Sequence, residues 1–204
     1  MRRIAFFIDG FNLYHAIDDV QLDKYKWLDL SKLASAFTSS KDEITAVYYF
    51  TAYATWMPDK YARHRVYVRA LESKNVKIVF GEFKQRDKQC RQCNQSYKTF
   101  EEKKTDVNIA IKLFQGAVHD LYDTAVVVSG DSDLVPSVEA VKETFPHKTV
   151  GVVIPIGRRA ESLKQAANFH MKMKLKHLIS CQLPYEINLG GITIKCPEKW
   201  REIK

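Results

Sequence analysis

Residues 125–133 (AVVVSGDSD), an apolar run that ends in two acids, restrict the fold more than any other stretch. Val126, Val127 and Val128 are continuous rather than alternating, which is typical of a strand buried on both faces of a parallel sheet. Residues 4–8 have the same form and run directly into Asp9. Two buried strands therefore deliver acids to the carboxyl edge of a parallel sheet, where ligands bind in open α/β folds.

The remaining apolar segments alternate between the periodicities of strands and helices, which favours an α/β domain. Further strands are predicted at residues 45–53, 76–80, 150–154 and 170–176. Residues 134–142 and 157–168 are predicted as helices, and residues 101–121 as a long one. In the long helix we expect one apolar row to face the core. That row comprises Val107, Ala110, Ile111, Phe114 and Val118.

Composition favours an anionic partner. The 204 residues include 32 Lys and Arg against 24 Asp and Glu, a net charge of +8, so nucleic acid is the leading expectation. No apolar run approaches the roughly 18 residues of a membrane span. We therefore expect a cytoplasmic protein with no membrane contact.

Four acids fall where predicted strands end or helices begin: Asp9, Asp106, Asp131 and Asp133. Carboxylates gathered at one edge repel one another, so such a cluster usually holds a cation, and hard oxygen ligands select Mg²⁺ or Mn²⁺. Such an ion supports phosphodiester hydrolysis, with Asn12 able to orient a ligand or water. The alternative for each single acid is that it only caps the helix that follows.

Three separated motifs carry a family resemblance. FFIDGFNLY near the start, EKKTDVNIAIKL in the middle and VVVSGDSDLVPSVEAV later resemble the NYN domain family of PIN-like nucleases, over about residues 3–180. The resemblance implies a three-layer α/β/α sandwich around a mainly parallel sheet, with a metal-dependent ribonuclease site. It divides the chain into a nuclease domain (residues 1–180) and a C-terminal extension (residues 181–204) that contains a predicted hairpin.

The resemblance also assigns roles to individual residues. Asp9, Asp106, Asp131 and Asp133 match the acidic metal ligands of the family, and Asn12 matches the polar residue that accompanies the first of them. Two further positions are less informative. Ser129 and Ser132 lie inside the third motif, where they support the carboxylates or cap the helix, and Asn168 stands where many relatives have an acid.

Residues 83–100 are predicted as an inserted basic hairpin that carries Cys90 and Cys93. A Cys-x-x-Cys pair is half of a structural zinc site, and zinc needs four ligands. Cys181 and Cys196 could complete the site, or two hairpins from two subunits could share one ion. A free thiol pair or a redox couple is the alternative.

Basic residues near the acidic edge are candidates for holding phosphates. They are Lys104, Arg158, Arg159 and Lys164. Phosphate contacts would give salt-sensitive binding that depends little on sequence. Aromatic candidates for stacking on RNA bases are Tyr14, Tyr97, Phe100 and Trp56. Each of these residues has a simpler alternative, a solvated charge or ordinary packing.

The sequence therefore predicts a Mg²⁺- or Mn²⁺-dependent endoribonuclease whose partner is RNA. Two alternatives stay open: an RNA-binding or oligomerising module without turnover, and a DNA nuclease that uses the same site. A homo-oligomer is a further expectation. Neither a Gly-x₄-Gly-Lys-Ser/Thr loop nor a GxGxxG turn after the first strand occurs, so nucleotide binding of those types is not predicted.

Overall fold

Strands and helices alternate along residues 1–201, the part of the chain that the computed structural model describes. The strands are β1 (Arg2–Asp9), β2 (Asp42–Thr51), β3 (Lys77–Phe80), β4 (Glu82–Gln89), β5 (Ser96–Lys103), β6 (Thr124–Val128), β7 (Thr149–Ile154), β8 (Phe169–Lys172), β9 (Glu186–Leu189) and β10 (Ile192–Lys195). The α-helices are α1 (Gly10–Asp19), α2 (Leu30–Ser35), α3 (Pro58–Glu72), α4 (Thr105–Val118), α5 (Val135–Thr144), α6 (Glu161–Ala166) and α7 (Leu175–Ser180). Short 3₁₀ turns span Asp23–Lys26, Ser132–Leu134 and Glu198–Trp200.

The central sheet has six strands in the order β3-β2-β1-β6-β7-β8, and every neighbouring pair is parallel. β1 pairs with β2 on one side and with β6 on the other. The chain leaves β1 through α1 and leaves β6 through α5, and these helices pack on opposite faces of the sheet. Crossovers that diverge in this way open a crevice at the carboxyl ends of the two strands.

Alternate side chains of β1 enter two separate cores because successive residues of a strand point to opposite faces. Ile4, Phe6 and Ile8 belong to the core covered by α1, α2 and α3. Ala5 and Phe7 belong to the core covered by α4, α5 and α6. The predicted three-layer α/β/α sandwich with a mainly parallel sheet is therefore confirmed.

The long predicted helix differs from α4 in its start and in its buried face. Glu101 to Lys103 are strand residues that pair with β4, so the helix begins at Thr105. The face that packs on the sheet carries Ile109, Leu113 and Ala117. The predicted row at Val107, Ile111, Phe114 and Val118 is exposed, and Ala110 is only half-buried. That prediction was wrong because α4 is apolar on two sides, and periodicity alone cannot tell which side meets the sheet.

The two hairpins lie outside the central sheet. β4 and β5 form an antiparallel pair with Cys90 at the start of its turn, and β9 and β10 form another with Gly190 and Gly191 at positive φ. The strand predicted at residues 170–176 stops at Lys172, and Leu175 already begins α7. Within the described chain, every helix is too short or too polar to cross a membrane.

Candidate metal centre

Three carboxylates converge at the carboxyl edge of the sheet. Asp106 lies in the first turn of α4, and Asp131 and Asp133 follow β6. One carboxylate oxygen from each residue lies within 4.8 Å of the other two. Asp131 caps the short turn after β6, since its Oδ1 accepts a hydrogen bond from the backbone N–H of Asp133 at 2.9 Å. The cap leaves the other oxygen of Asp131 free to face a ligand.

Asp9 lines the same cleft but has a different environment. It is buried at the end of β1 and caps α1. Its Oδ1 accepts a hydrogen bond from the backbone N–H of Asn12 at 3.0 Å, and its Oδ2 accepts one from the Ser129 hydroxyl at 2.8 Å. Asp9 is therefore in the wall of the cleft, while the group of three close oxygens is formed by the other acids.

Asn12 and Ser129 join the loop after β1 to the loop after β6. The side-chain oxygen of Asn12 accepts a hydrogen bond from the backbone N–H of Gly130 at 2.8 Å. The Ser129 hydroxyl also accepts one from the backbone N–H of Asp131 at 3.0 Å. These contacts fix the position of Asp131 relative to Asp9.

The electrostatics of the cleft suit a divalent cation. Burial raises the pKa of Asp106 to about 6, and the charges of Asp9, Asp131, Glu102 and Asp133 act in the same direction. Burial also raises the pKa of Asp9, although its hydrogen bonds oppose the change. Among the described residues, no Lys or Arg forms an ion pair with any of these acids. Clustered, unneutralised carboxylates are the donor set that Mg²⁺ or Mn²⁺ prefers, so the residues fit such an ion.

We predict that Asp106→Asn raises the melting temperature of the metal-free protein, and by more at pH 7.5 than at pH 4. The folded chain keeps a proton on Asp106 up to about pH 6, whereas the unfolded chain releases it near the ordinary pKa of 3.8. Ionising Asp106 therefore destabilises the fold as the pH rises through this window, and the amide removes that cost. Thermal unfolding in EDTA at both pH values checks this. An equal gain at both pH values would contradict it.

Comparison with known proteins decides the family. A family model of the NYN domain matches residues 3–174 of the chain. The chain belongs to the NYN domain family. It is 27% identical to 6-hydroxy-3-succinoylpyridine 3-monooxygenase HspA of Pseudomonas putida, with 97% of this chain and 75% of that protein covered. Its fold is similar to that of a Vibrio parahaemolyticus protein of unknown function (TM-score 0.61, 19% identity, 85% of this chain and 94% of that chain covered).

Two of the four predicted phosphate-binding residues lie at the cleft of this NYN domain. Arg158 and Arg159 both line it. Arg158 pairs with Asp19 at 2.9 Å, and Arg159 is exposed. The other two are Lys104 and Lys164, which lie outside the lining and form ion pairs with Glu82 and Glu161.

Glu102 was not among the predicted site residues of the NYN domain, yet it lines the cleft. Its Oε1 accepts hydrogen bonds from the backbone N–H and the hydroxyl of Thr105. Glu102 falls inside the helix predicted over residues 101–121, whereas it lies near the end of β5. The signal available in the sequence was its position four residues before Asp106.

The remaining candidate residues lie away from the acids. Cys181 and Cys196 are buried in the core under α1 to α3, so they do not join Cys90 and Cys93 at the hairpin turn. Within residues 1–201, Cys90 and Cys93 have no third metal-ligating residue close to them. A zinc ion shared between the hairpins of two subunits stays a prediction. Asn168 accepts a hydrogen bond from the backbone N–H of Val150 at 2.8 Å, near the opposite edge of the sheet.

Proposed function

We propose that this NYN domain is a Mg²⁺- or Mn²⁺-dependent endoribonuclease. The observation that carries the proposal is the convergence of Asp106, Asp131 and Asp133, whose oxygens lie within 4.8 Å of one another in a cleft that also contains two arginines. These three acids would hold the ion, with Asp9 beside them. A divalent cation held there would supply Lewis-acid polarisation of a phosphodiester.

The residues of the chain itself position RNA and keep the acids in place. Arg159 and Arg158 border the cleft, and the exposed Arg159 guanidinium can hold a phosphate of RNA there. Asn12 and Ser129 keep the loops after β1 and β6 in register through their hydrogen bonds. The stacking candidates Trp56 and Phe100 contact each other, with ring centroids 3.8 Å apart.

Cleavage of labelled RNA and DNA, each with Mg²⁺, with Mn²⁺ and with EDTA, tests the proposal. We expect RNA to be cleaved with either ion and to stay intact in EDTA. Cleavage of DNA alone would support the DNA nuclease. RNA binding without cleavage in any divalent ion would support the module without turnover.

The Pseudomonas putida relative is named a monooxygenase, which is a different class of reaction. We propose hydrolysis for this chain because its clustered donors are carboxylates, the hard ligands that suit Mg²⁺ and Mn²⁺. RNA is the proposed partner. Self-association into a homo-oligomer and a cytoplasmic location are also proposals, and light scattering of the purified protein tests the first of them.

We predict that Arg159→Gln weakens RNA binding about three- to tenfold and reduces the salt dependence by roughly one phosphate contact. Arg159 is exposed at the cleft and can reach a phosphate without breaking an ion pair. Lys41→Gln is the matched control, because exposed Lys41 precedes β2 at the opposite edge of the sheet. Binding isotherms in EDTA at several salt concentrations measure both effects. Equal losses in the two variants would contradict the assignment of Arg159.

A further inference from the structure

A second cavity, of about 200 Å³, lies beside the acidic cleft. Phe11 and His15 line both, so they form the wall between them. An apolar cavity of about 150 Å³ is enough to hold a benzene ring. This one therefore has room for a substituted ring or two fused rings.

Aromatic side chains build the wall of this cavity, and their contacts hold it open. Trp56 stacks on Phe100 of the β4–β5 hairpin with an interplanar angle of 6°, and Phe83 packs edge-on against Trp56 at 4.6 Å. On another side, Trp200 packs against Tyr67 at 5.8 Å. Because separate elements fix these rings, the cavity is preformed, as ligand sites usually are.

Two polar residues on the wall, Thr51 and His64, are uncharged near neutral pH. The Thr51 hydroxyl and His64 Nε2 lie 3.1 Å apart, and both residues line the cavity. Burial lowers the pKa of His64 to about 4, so its imidazole is neutral. A hydroxyl and a neutral imidazole suit the ring nitrogen or carbonyl of a heteroaromatic ligand.

One end of the cavity is cationic. Lys60, Arg63 and Tyr67 lie on the same face of α3 and line the cavity. Lys60 is exposed, Arg63 is half-buried and Tyr67 is buried. Within the described chain, neither Lys60 nor Arg63 forms an ion pair. Lys26 also lines the cavity, but Asp18 and Asp23 neutralise its ammonium. The charge available to a ligand is therefore at the Lys60 end.

We propose that this cavity binds a planar heteroaromatic ring that carries an anionic group. The ring lies among Tyr49, Tyr67 and Trp56, and the anionic group lies at Lys60 and Arg63. A nucleotide of single-stranded RNA and a free heteroaromatic acid share this chemistry. Binding of either does not depend on cleavage at the acidic cleft, so this proposal and the proposed function can fail separately.

Calorimetric titration in EDTA tests the proposal with four probes: uridine 5′-monophosphate, indole-3-acetate and their uncharged counterparts uridine and indole. We expect at least one anionic probe to bind, and more tightly than its counterpart. Arg63→Gln should weaken that binding about five- to tenfold. Arg69→Gln, an exposed position of α3 outside the cavity, is the control and should leave it unchanged.

Ala54→Phe should abolish binding because it fills the cavity, whereas Ala62→Phe on the exposed side of α3 should preserve it. Circular dichroism verifies that each variant is folded. If Ala54→Phe does not fold, Arg63→Gln still tests the site independently. Binding of the nucleotide alone would favour a nucleotide of RNA as the ligand, and binding of indole-3-acetate alone would favour a free acid. The absence of binding by both anionic probes, or binding that Arg63→Gln does not weaken, would overturn the proposal.

Discussion

Asp131→Asn is expected to reduce metal-dependent RNA cleavage by about 100-fold or more while the protein stays folded. The substitution removes the charge of one of the three acids whose oxygens lie within 4.8 Å of one another. The amide oxygen of the variant can still accept the hydrogen bond from the backbone N–H of Asp133, so the turn after β6 is preserved. The loss therefore reflects the missing anionic ligand rather than a rearranged loop.

The same variant should be more stable than the wild type when no metal is bound. The charge of Asp131 raises the pKa of both Asp106 and Asp9, after the larger effect of burial, so its removal relieves repulsion in the cleft. We expect a higher melting temperature in EDTA and a smaller gain on adding Mg²⁺. Glu43→Gln is the control, since exposed Glu43 lies near the amino end of β2. If purified Asp131→Asn cleaves RNA with Mg²⁺ at the rate of the wild type, the assignment of Asp131 to the metal site is wrong.

The positions of Asp9, Asp131 and Asp133 could be predicted because the strands that precede them are recognisable in the sequence. β1 and β6 are continuous apolar runs, and the first polar residues after such runs must lie at the carboxyl edge of a parallel sheet. What the sequence could not show is how each acid is surrounded. Asp9 and Asp131 both lie at the carboxyl ends of neighbouring strands, yet Asp9 is buried with hydrogen bonds to both oxygens.

Contacts between residues far apart in sequence explain why Lys104 is not at the cleft and why the aromatic cavity was not predicted. Lys104 precedes the Asp106 motif directly, but the strand pairing of the hairpin brings Glu82 to its side chain. The aromatic cavity could not be predicted either, because Phe11, Trp56 and Trp200, which line it, are far apart in the sequence. Periodicity identifies which residues are apolar, whereas the tertiary fold decides which of them enclose a space.

Ser129→Ala is expected to lower the free energy of unfolding by about 1–3 kcal/mol and to reduce cleavage about 10- to 100-fold. The Ser129 side chain is fully buried, and its hydroxyl both donates to Asp9 Oδ2 and accepts from the backbone N–H of Asp131. Alanine leaves the buried Asp9 Oδ2 without its hydrogen-bond donor and the backbone N–H of Asp131 without this acceptor, which accounts for the loss of stability. It also releases Asp131 from Asp9, which accounts for the loss of activity.

Urea denaturation compares Ser129→Ala with Ser132→Ala, a control in the same loop whose exposed side chain should change stability by less than about 0.5 kcal/mol. A double-mutant cycle with Asp9→Asn then isolates the contribution of the bridge, because the two losses should not add if Ser129 acts through Asp9. Additive losses of stability would show that the hydrogen bond between them contributes little. A loss of stability without a loss of cleavage would mean that the bridge maintains the fold only, and that the turn after β6 positions Asp131 by itself.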